Sequence, residues 1–403
     1  TQCQPGLESH FCTSWANRSR DALYYVSASE EGPAACAACP QAVIAAVTAI
    51  TGVALIALAL LASFLQVTWR RVWRARWRRV QQWWEVLGLG VKVKQMISFF
   101  QVSSKVGKQY HVTMPPEVRS VLGVFEVAIS FGLDISTPLE CIGAVQYEQQ
   151  LIFWMSLPLV LISMLLLAGL LRSRLSPHAA LRWALPSIVR LMFLLYAIVN
   201  AKAFEAFPCH DFGDADGRWL VADVNVRCES AEHTRIKAVA WVAICLYPIG
   251  WTATTAALLF VAREPITGRA EPTDLSRALR FVYGEFEPGY YWWELLEMLR
   301  RFLLVGLLSI VSPGSISQLM SAAVFCVLYL AVQVHAGPYK NPKDNFLALC
   351  ASVSLACLFL SCIVLKLKTL VETEEVREVL SPKLRELFDV PMIYLSTAML
   401  LSI

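Results

Sequence analysis

The sequence predicts an all-α, polytopic transmembrane helical bundle of about nine spans, preceded by a small disulfide-rich extracellular stub. Three observations carry that expectation. Of the 403 residues, 57% are hydrophobic and only 16% are charged, whereas a soluble domain carries about 25% charged residues. Several windows reach the ~20 mostly apolar residues that a spanning helix needs. The first such window has cysteines on one flank and arginines on the other, an asymmetry that orients a chain in a bilayer.

Residues 1–40 are polar and lack the charged-then-apolar order of a secretory signal. The sequence is therefore expected to begin partway through a longer precursor, and its apolar ending "LLSI" is expected to continue. Residues 41–64, "QAVIAAVTAITGVALIALALLASF", form the first expected span. Arg70, Arg71, Arg74, Arg76, Arg78 and Arg79 follow it directly. By the positive-inside rule this flank is cytoplasmic, so the N-terminus is extracellular. The arginine run then reads as a juxtamembrane patch for anionic inner-leaflet lipid rather than for nucleic acid. Three regions are expected: the stub at 1–40, the first helix with its basic segment at 41–80, and a channel-like bundle at 81–403.

Cys3, Cys12, Cys36 and Cys39 fall on the outer side, as does the sequon at Asn17. In an oxidising compartment these cysteines read as disulfide partners before metal ligands. Cys141, Cys209 and Cys228 also lie in polar segments, and a Cys209–Cys228 bridge is the preferred pairing. The cysteines of the apolar segments read as small packing residues.

Charge alternation orders the later spans. Residues 151–171 run inward and end before Arg172 and Arg174. Residues 183–201 return outward to an acidic loop with Asp211, Asp214, Asp216 and Asp223, and residues 238–262 come back in. A cytoplasmic linker over 263–291 precedes an outward span at 302–311 and a tight "SPGS" outer turn at 312–315. Residues 317–334 descend, "GPYKNPKD" is an inner loop, 345–365 rise, and 392–403 form a last apolar run. Between Trp83 and Cys141, segments 91–106 and 121–135 compete for a single crossing. We favour the first as the crossing, with the second a partly buried or re-entrant helix.

Ionisable groups inside a bilayer invite a functional reading. Arg190 lies mid-span, and a structural pair with Glu126 or Asp134 is expected ahead of an ion-path role. The stretch "YYWWELLEMLRR" places Glu294, Glu297 and Arg301 on roughly one helical stripe, beside Arg300. Trp292 and Trp293 suit the headgroup zone. The cluster reads as an interfacial anchor with an internal ion pair, or as a coupling elbow that passes linker motion to the next helix. No catalytic signature is present: there is no G-x-S-x-G, H-E-x-x-H or P-loop sequence, and the histidines are scattered. An enzyme, a cofactor and a metal site are not expected.

The order of "KVKQMISFFQV" (92–102), "PPE", "PLEC", "YGEFEPGYYWWELLEMLRRFLLVG" (283–306), "PGS…Q" and "GPYKNPKDNFLAL" resembles the transient-receptor-potential-like membrane module. That module occurs in fungal flavin-carrier and polycystin-like proteins, and at the C-terminus of large cysteine-rich algal or protist surface proteins. The resemblance implies a cation-channel-like fold whose later helices frame any pore. A polar re-entrant filter is expected between late spans; 312–318 is too short for one, and 372–389 reads as an amphipathic helix. The leading expectation is a mechanically gated cation channel tethered to a large ectodomain in a plasma or ciliary membrane. The alternatives are a non-conducting anchor for an extracellular assembly, or a flavin or lipid transporter. Expected partners are membrane lipids, further copies of the chain and extracellular structural proteins.

Overall fold

The computed structural model describes four short N-terminal strands and residues 88–129, 146–174, 176–211, 217–372 and 391–403. The strands form two antiparallel hairpins, β1 (Leu7–Glu8) with β2 (Ser14–Trp15) and β3 (Leu23–Val26) with β4 (Ala35–Ala38). Among the described residues the other regular elements are helices, apart from one small sheet.

Among the described residues, five helices are long and apolar enough to cross a membrane. They are α3 (Tyr147–Arg172), α4 (Pro177–Phe204), α5 (Ala231–Val261), α10 (Ile316–Ala336) and α11 (Pro342–Glu372). Each coincides with an expected span. Their lengths follow from uninterrupted apolar runs, and their ends from local chemistry. Pro177 opens α4 with a ring pre-set for the first turn. Ser230 Oγ caps α5 by accepting from His233 N–H, and Ser315 Oγ caps α10 by accepting from Gln318 N–H. Gly337, in the left-handed region, ends α10. The "SPGS" turn forms as expected, with Ser315 N–H donating to Ser312 C=O at 3.1 Å.

Four other helices and three short linker helices are also among the described residues. Helix α1 (Leu89–Gln109) and helix α2 (Pro116–Ile129) pack on each other. The linker carries three short helices, α6 (Arg263–Ile266), α7 (Asp274–Ala278) and α8 (Arg280–Tyr283). Helix α9 (Trp293–Phe302) then continues through a π-helical stretch, Leu303–Leu307, into a last turn, Leu308–Ile310. Helix α12 (Met392–Ser402) lies against α11 and α2.

Contacts at the helix ends set the directions. At one end Arg182 of α4 pairs with Asp274 of the linker, and Gln95 of α1 donates to Asp344 C=O of α11. There the linker also pairs with the α10–α11 loop, Glu287 N–H donating to Pro338 C=O at 2.8 Å and Lys340 N–H to Glu285 C=O at 3.0 Å. At the opposite end Gln318 of α10 donates to Leu308 C=O of the α9 run, and Lys366 of α11 donates to His111 C=O beyond α1. Helices α1, α4, α11 and the α9 run thus point one way, and α3, α5 and α10 the other. Helix α1 sits in the middle, and its Phe99, Phe100, Val102 and Val106 join the main core with residues of α10, α11 and α12.

Several expectations need correction. The acidic loop after α4 is a three-stranded antiparallel sheet, β5 (Cys209–Asp211), β6 (Arg218–Leu220) and β7 (Asp223–Arg227), with a bulge at Trp219/Leu220. With the two N-terminal hairpins, it makes the chain mostly rather than wholly α-helical. Of the last expected run, residues 392–402 are helical. The expected span at 302–311 is the upper part of a helix whose lower part is charged. Residues 41–64 and 373–389 lie outside the described residues.

Candidate functional site

The lower half of α9 is amphipathic in the reverse sense to a soluble helix. Trp293, Glu294, Glu297, Met298, Arg300 and Arg301 are all buried, so its charged face points into the protein. Helix α1 is built to receive it. Lys94, Gln95, Ser98, Gln101, Ser103, Lys105 and Gln109 are polar residues that this helix buries, and 94, 98, 101 and 105 recur at the spacing of one helical face.

Between these faces lies a continuous charge network. Lys94 Nζ sits 2.6 Å from Glu285 Oε1 of the linker and 2.7 Å from Glu294 Oε2 of α9. It also donates to Phe281 C=O at 3.0 Å and lies 4.8 Å from the centre of the Phe281 ring. The other oxygen of Glu294 accepts from Arg301 at 2.8 Å. Arg301 further donates to Gln101 Oε1 at 3.1 Å and to Glu297 C=O at 3.2 Å, and its guanidinium lies 4.7 Å from the Phe193 ring of α4. Gln101 in turn donates to Leu194 C=O at 3.1 Å.

A second pair extends the network toward α10 and α11. Arg300 lies 2.7 Å from Glu297 Oε2, close enough for an ion pair although the atoms are off line for a hydrogen bond. Tyr329 of α10 donates to the other Glu297 oxygen, and Arg300 stacks 4.7 Å from the Tyr329 ring. Ser352 Oγ accepts from Arg300 at 3.4 Å and donates to Gln333 Oε1 at 2.6 Å. Lys94, Arg300 and Arg301 therefore face Glu285, Glu294 and Glu297, and their formal charges cancel. Desolvating a charge costs several kcal/mol, which close ion pairs with further hydrogen bonds repay.

Glu285 is the exception in support. It shares Lys94 with Glu294, and Glu294 alone also has Arg301. Glu285 lies in the linker, outside the five spans, and burial pushes its carboxyl up to about 7, with Lys94 opposing and Glu294 adding to the rise. Beside it is a cavity of about 20 Å³ lined by Lys94, Gln95, Ser98, Glu285 and Arg300 among others. That is room for one water. Gln95 Oε1, Ser98 Oγ and Arg300 Nε are buried there without a protein hydrogen-bond partner. A second cavity of about 20 Å³, lined in part by Tyr196, Trp251 and Thr255, touches Glu294 and Arg301 from the α4–α5 side.

The backbone above the network is also held by side chains. In the π-helical stretch, Leu304 C=O accepts from Tyr110 at 2.8 Å, and just before it Arg301 C=O accepts from Asn200 at 3.4 Å. Gly306 lies against α4 so closely that a Cβ there would stand 2.6 Å from the Phe204 ring. π-Helical stretches often sit beside functional groups.

The elbow residues are thus brought together, but differently from the expected stripe: Glu297 pairs with Arg300, and Arg301 with Glu294. Trp293 is fully buried against Tyr329, whereas Trp292 is 38% exposed. The expected Arg190–Glu126 pair does not form. Glu126 takes Lys105 at 2.8 Å and Lys108 at 3.4 Å across the α1–α2 hairpin, while Arg190 is exposed and 6.0 Å from the Phe281 ring. Cys209 and Cys228 form the expected disulfide, spanning 6.4 Å between Cα atoms. His233 lies near them, but the bridge consumes both thiols, leaving no metal set there. Cys3, Cys12, Cys39, Cys141, Asn17, Asp134 and the arginines Arg70, Arg71, Arg74, Arg76, Arg78 and Arg79 lie outside the described residues. Cys36 falls in β4, where only the backbone is described. Sequence reasoning missed Lys94, Gln101 and Glu285 as members of the site. The polar recurrence along 94–105 was the available signal.

No protein-family model and no solved structure matches the chain. An alignment 176 positions long, covering 41% of the chain, is 23% identical to Cysteine repeat modular protein A of Toxoplasma gondii. The match spans 5% of that protein's length.

Proposed function

We propose that the chain is the channel-like membrane domain of a larger surface protein, with the buried charge network coupling the linker 263–292 to the helices that cross the bilayer. The observation that carries this reading is the unbroken path Glu285–Lys94–Glu294–Arg301–Gln101, which joins the linker, α1 and α9 by contacts of 2.6–3.1 Å. A membrane segment gains nothing from charges on a purely lipid-facing anchor; charges that tie a surface segment to buried helices transmit displacement. On this reading α1 and the 293–310 run also cross the membrane, α1 carrying its polar stripe toward protein. The N-terminus is extracellular, and tension on an ectodomain opens a cation path between copies of the chain.

A second reading, a non-conducting anchor for an extracellular assembly, is favoured by the cavities beside the network, each of about 20 Å³, and by its cancelling charges. Patch recording of the purified full chain in liposomes under graded suction separates the two. The first reading expects cation currents whose threshold shifts in Glu294→Gln and Glu297→Gln. Silence at all tensions and voltages overturns it in favour of the anchor.

A further inference from the structure

Residues 281–290 are the part of the linker that meets the charge network. Phe286 and Tyr339 form a backbone bridge with rings 4.9 Å apart, and Glu285 is inserted beside Lys94. Around Glu285 stand Lys94 from α1, Glu294 and Glu297 from α9 and Tyr339 from the α10–α11 loop, Arg300 of α9 lines the adjoining cavity, and Lys340 and Arg280 lie against the neighbouring Gly284. Two carboxylates compete for one ammonium at 2.6 and 2.7 Å, and the rival, Glu294, is also held by Arg301. If Glu285 becomes neutral, Lys94 keeps a carboxylate. The adjoining cavity also holds an acceptor with no protein donor, Gln95 Oε1, for a carboxylic O–H to satisfy directly or through the one water that fits. The site thus holds partners for both forms of Glu285: Lys94 for the carboxylate and Gln95 Oε1 for the protonated acid.

We propose that docking of the linker onto the bundle is proton-linked, with Glu285 taking up one proton from solvent when the 281–290 segment docks and returning it when the segment leaves. This deepens the coupling reading above and rests on it for its functional consequence. The transfer is balanced: hydronium gives its proton to a Glu285 oxygen, water remains, and Lys94 stays charged against Glu294. The direction follows from linkage. Burial pushes the docked carboxyl up to about 7, against 4.5 for an ordinary glutamate, so the docked state binds more protons between those values. Acidification therefore strengthens docking, and raising the pH through 7 weakens it. From these two values the docking constant is about tenfold larger at pH 6 than at pH 8.

The test is hydrogen–deuterium exchange of the full chain in lipid nanodiscs, read on peptides covering 279–290 and expressed as protection relative to intrinsic exchange at each pH. The expected result is protection about tenfold higher at pH 6 than at pH 8, and equal at both in Glu285→Gln. Equal protection in the wild-type chain, or a pH dependence that survives Glu285→Gln, overturns the proposal. Should Glu285→Gln not fold, Glu285→Ala takes its place with the same two outcomes. Exchange reads docking whether or not the chain passes ions, so its outcome stays separate from that of the liposome recordings.

Discussion

Removing Arg301 is the most informative single change to the charge network. Its side chain is 1% exposed and donates to Glu294, Gln101 and Glu297 C=O. Arg301→Met keeps an unbranched apolar stem and removes the guanidinium. It leaves three buried acceptors without their donor, and a site with one more acid than base, since Lys94 already serves both Glu285 and Glu294. Breaking one partner of a buried pair costs about 3–5 kcal/mol, against about 0–1 kcal/mol for a surface pair. Arg218–Glu229, exposed on the sheet at 54% and 76%, is the internal control. Arg301→Lys should recover part of the loss, because it restores the charge but not the planar fork. The assay is equilibrium unfolding of the full chain in mixed lipid–detergent micelles. A cycle with Glu294→Gln should show coupling of about 0.5–3 kcal/mol, as expected for residues sharing a network. An Arg301→Met loss no greater than that of Arg218→Met would refute the assignment of this network as a buried, interdependent unit.

Other outcomes follow from the same geometry. Gly306→Ala forces a methyl to within 2.6–2.8 Å of Phe204 and Asn200 Oδ1, and overpacking of this kind should cost about 1–3 kcal/mol in the same unfolding measurement. Replacing Cys209 and Cys228 by serine opens a loop with a sequence separation of 19. Chain entropy puts the loss near 3 kcal/mol, confined to the sheet and read by faster exchange in 209–228.

Much of the architecture could be read from hydropathy, because α3, α4, α5, α10 and α11 are apolar through most of their length and a lipid-facing helix has no other composition open to it. The disulfide was legible from two cysteines bracketing a polar segment. Helix α1 was harder. Its burial is within protein, so hydropathy understates it, and the same polar face that disguised it is what α9 needs. Lys94 and Glu285 are 191 residues apart, and no local pattern announces such a pair. Of the two acids expected for Arg190, Glu126 is not its partner and Asp134 lies outside the described residues. In the fold Glu126 is satisfied nearby by Lys105, and Arg190 reaches the exposed surface of α4. The sheet after α4 was hidden by strands of three to five residues, too short to show alternation, in a segment whose acids suggested a solvated loop.

The central claim is that α1, the α9 run, α10 and α11 traverse one membrane with the charge network at the linker end. Single cysteines at Lys108, Ser312 and Arg218, and at Arg269 and Lys340, labelled with a membrane-impermeant maleimide in oriented vesicles, test it directly. The account predicts that the first three react from one side and the last two from the other. Labelling of Ser312 and Lys340, or of Lys108 and Lys340, from the same side would contradict it.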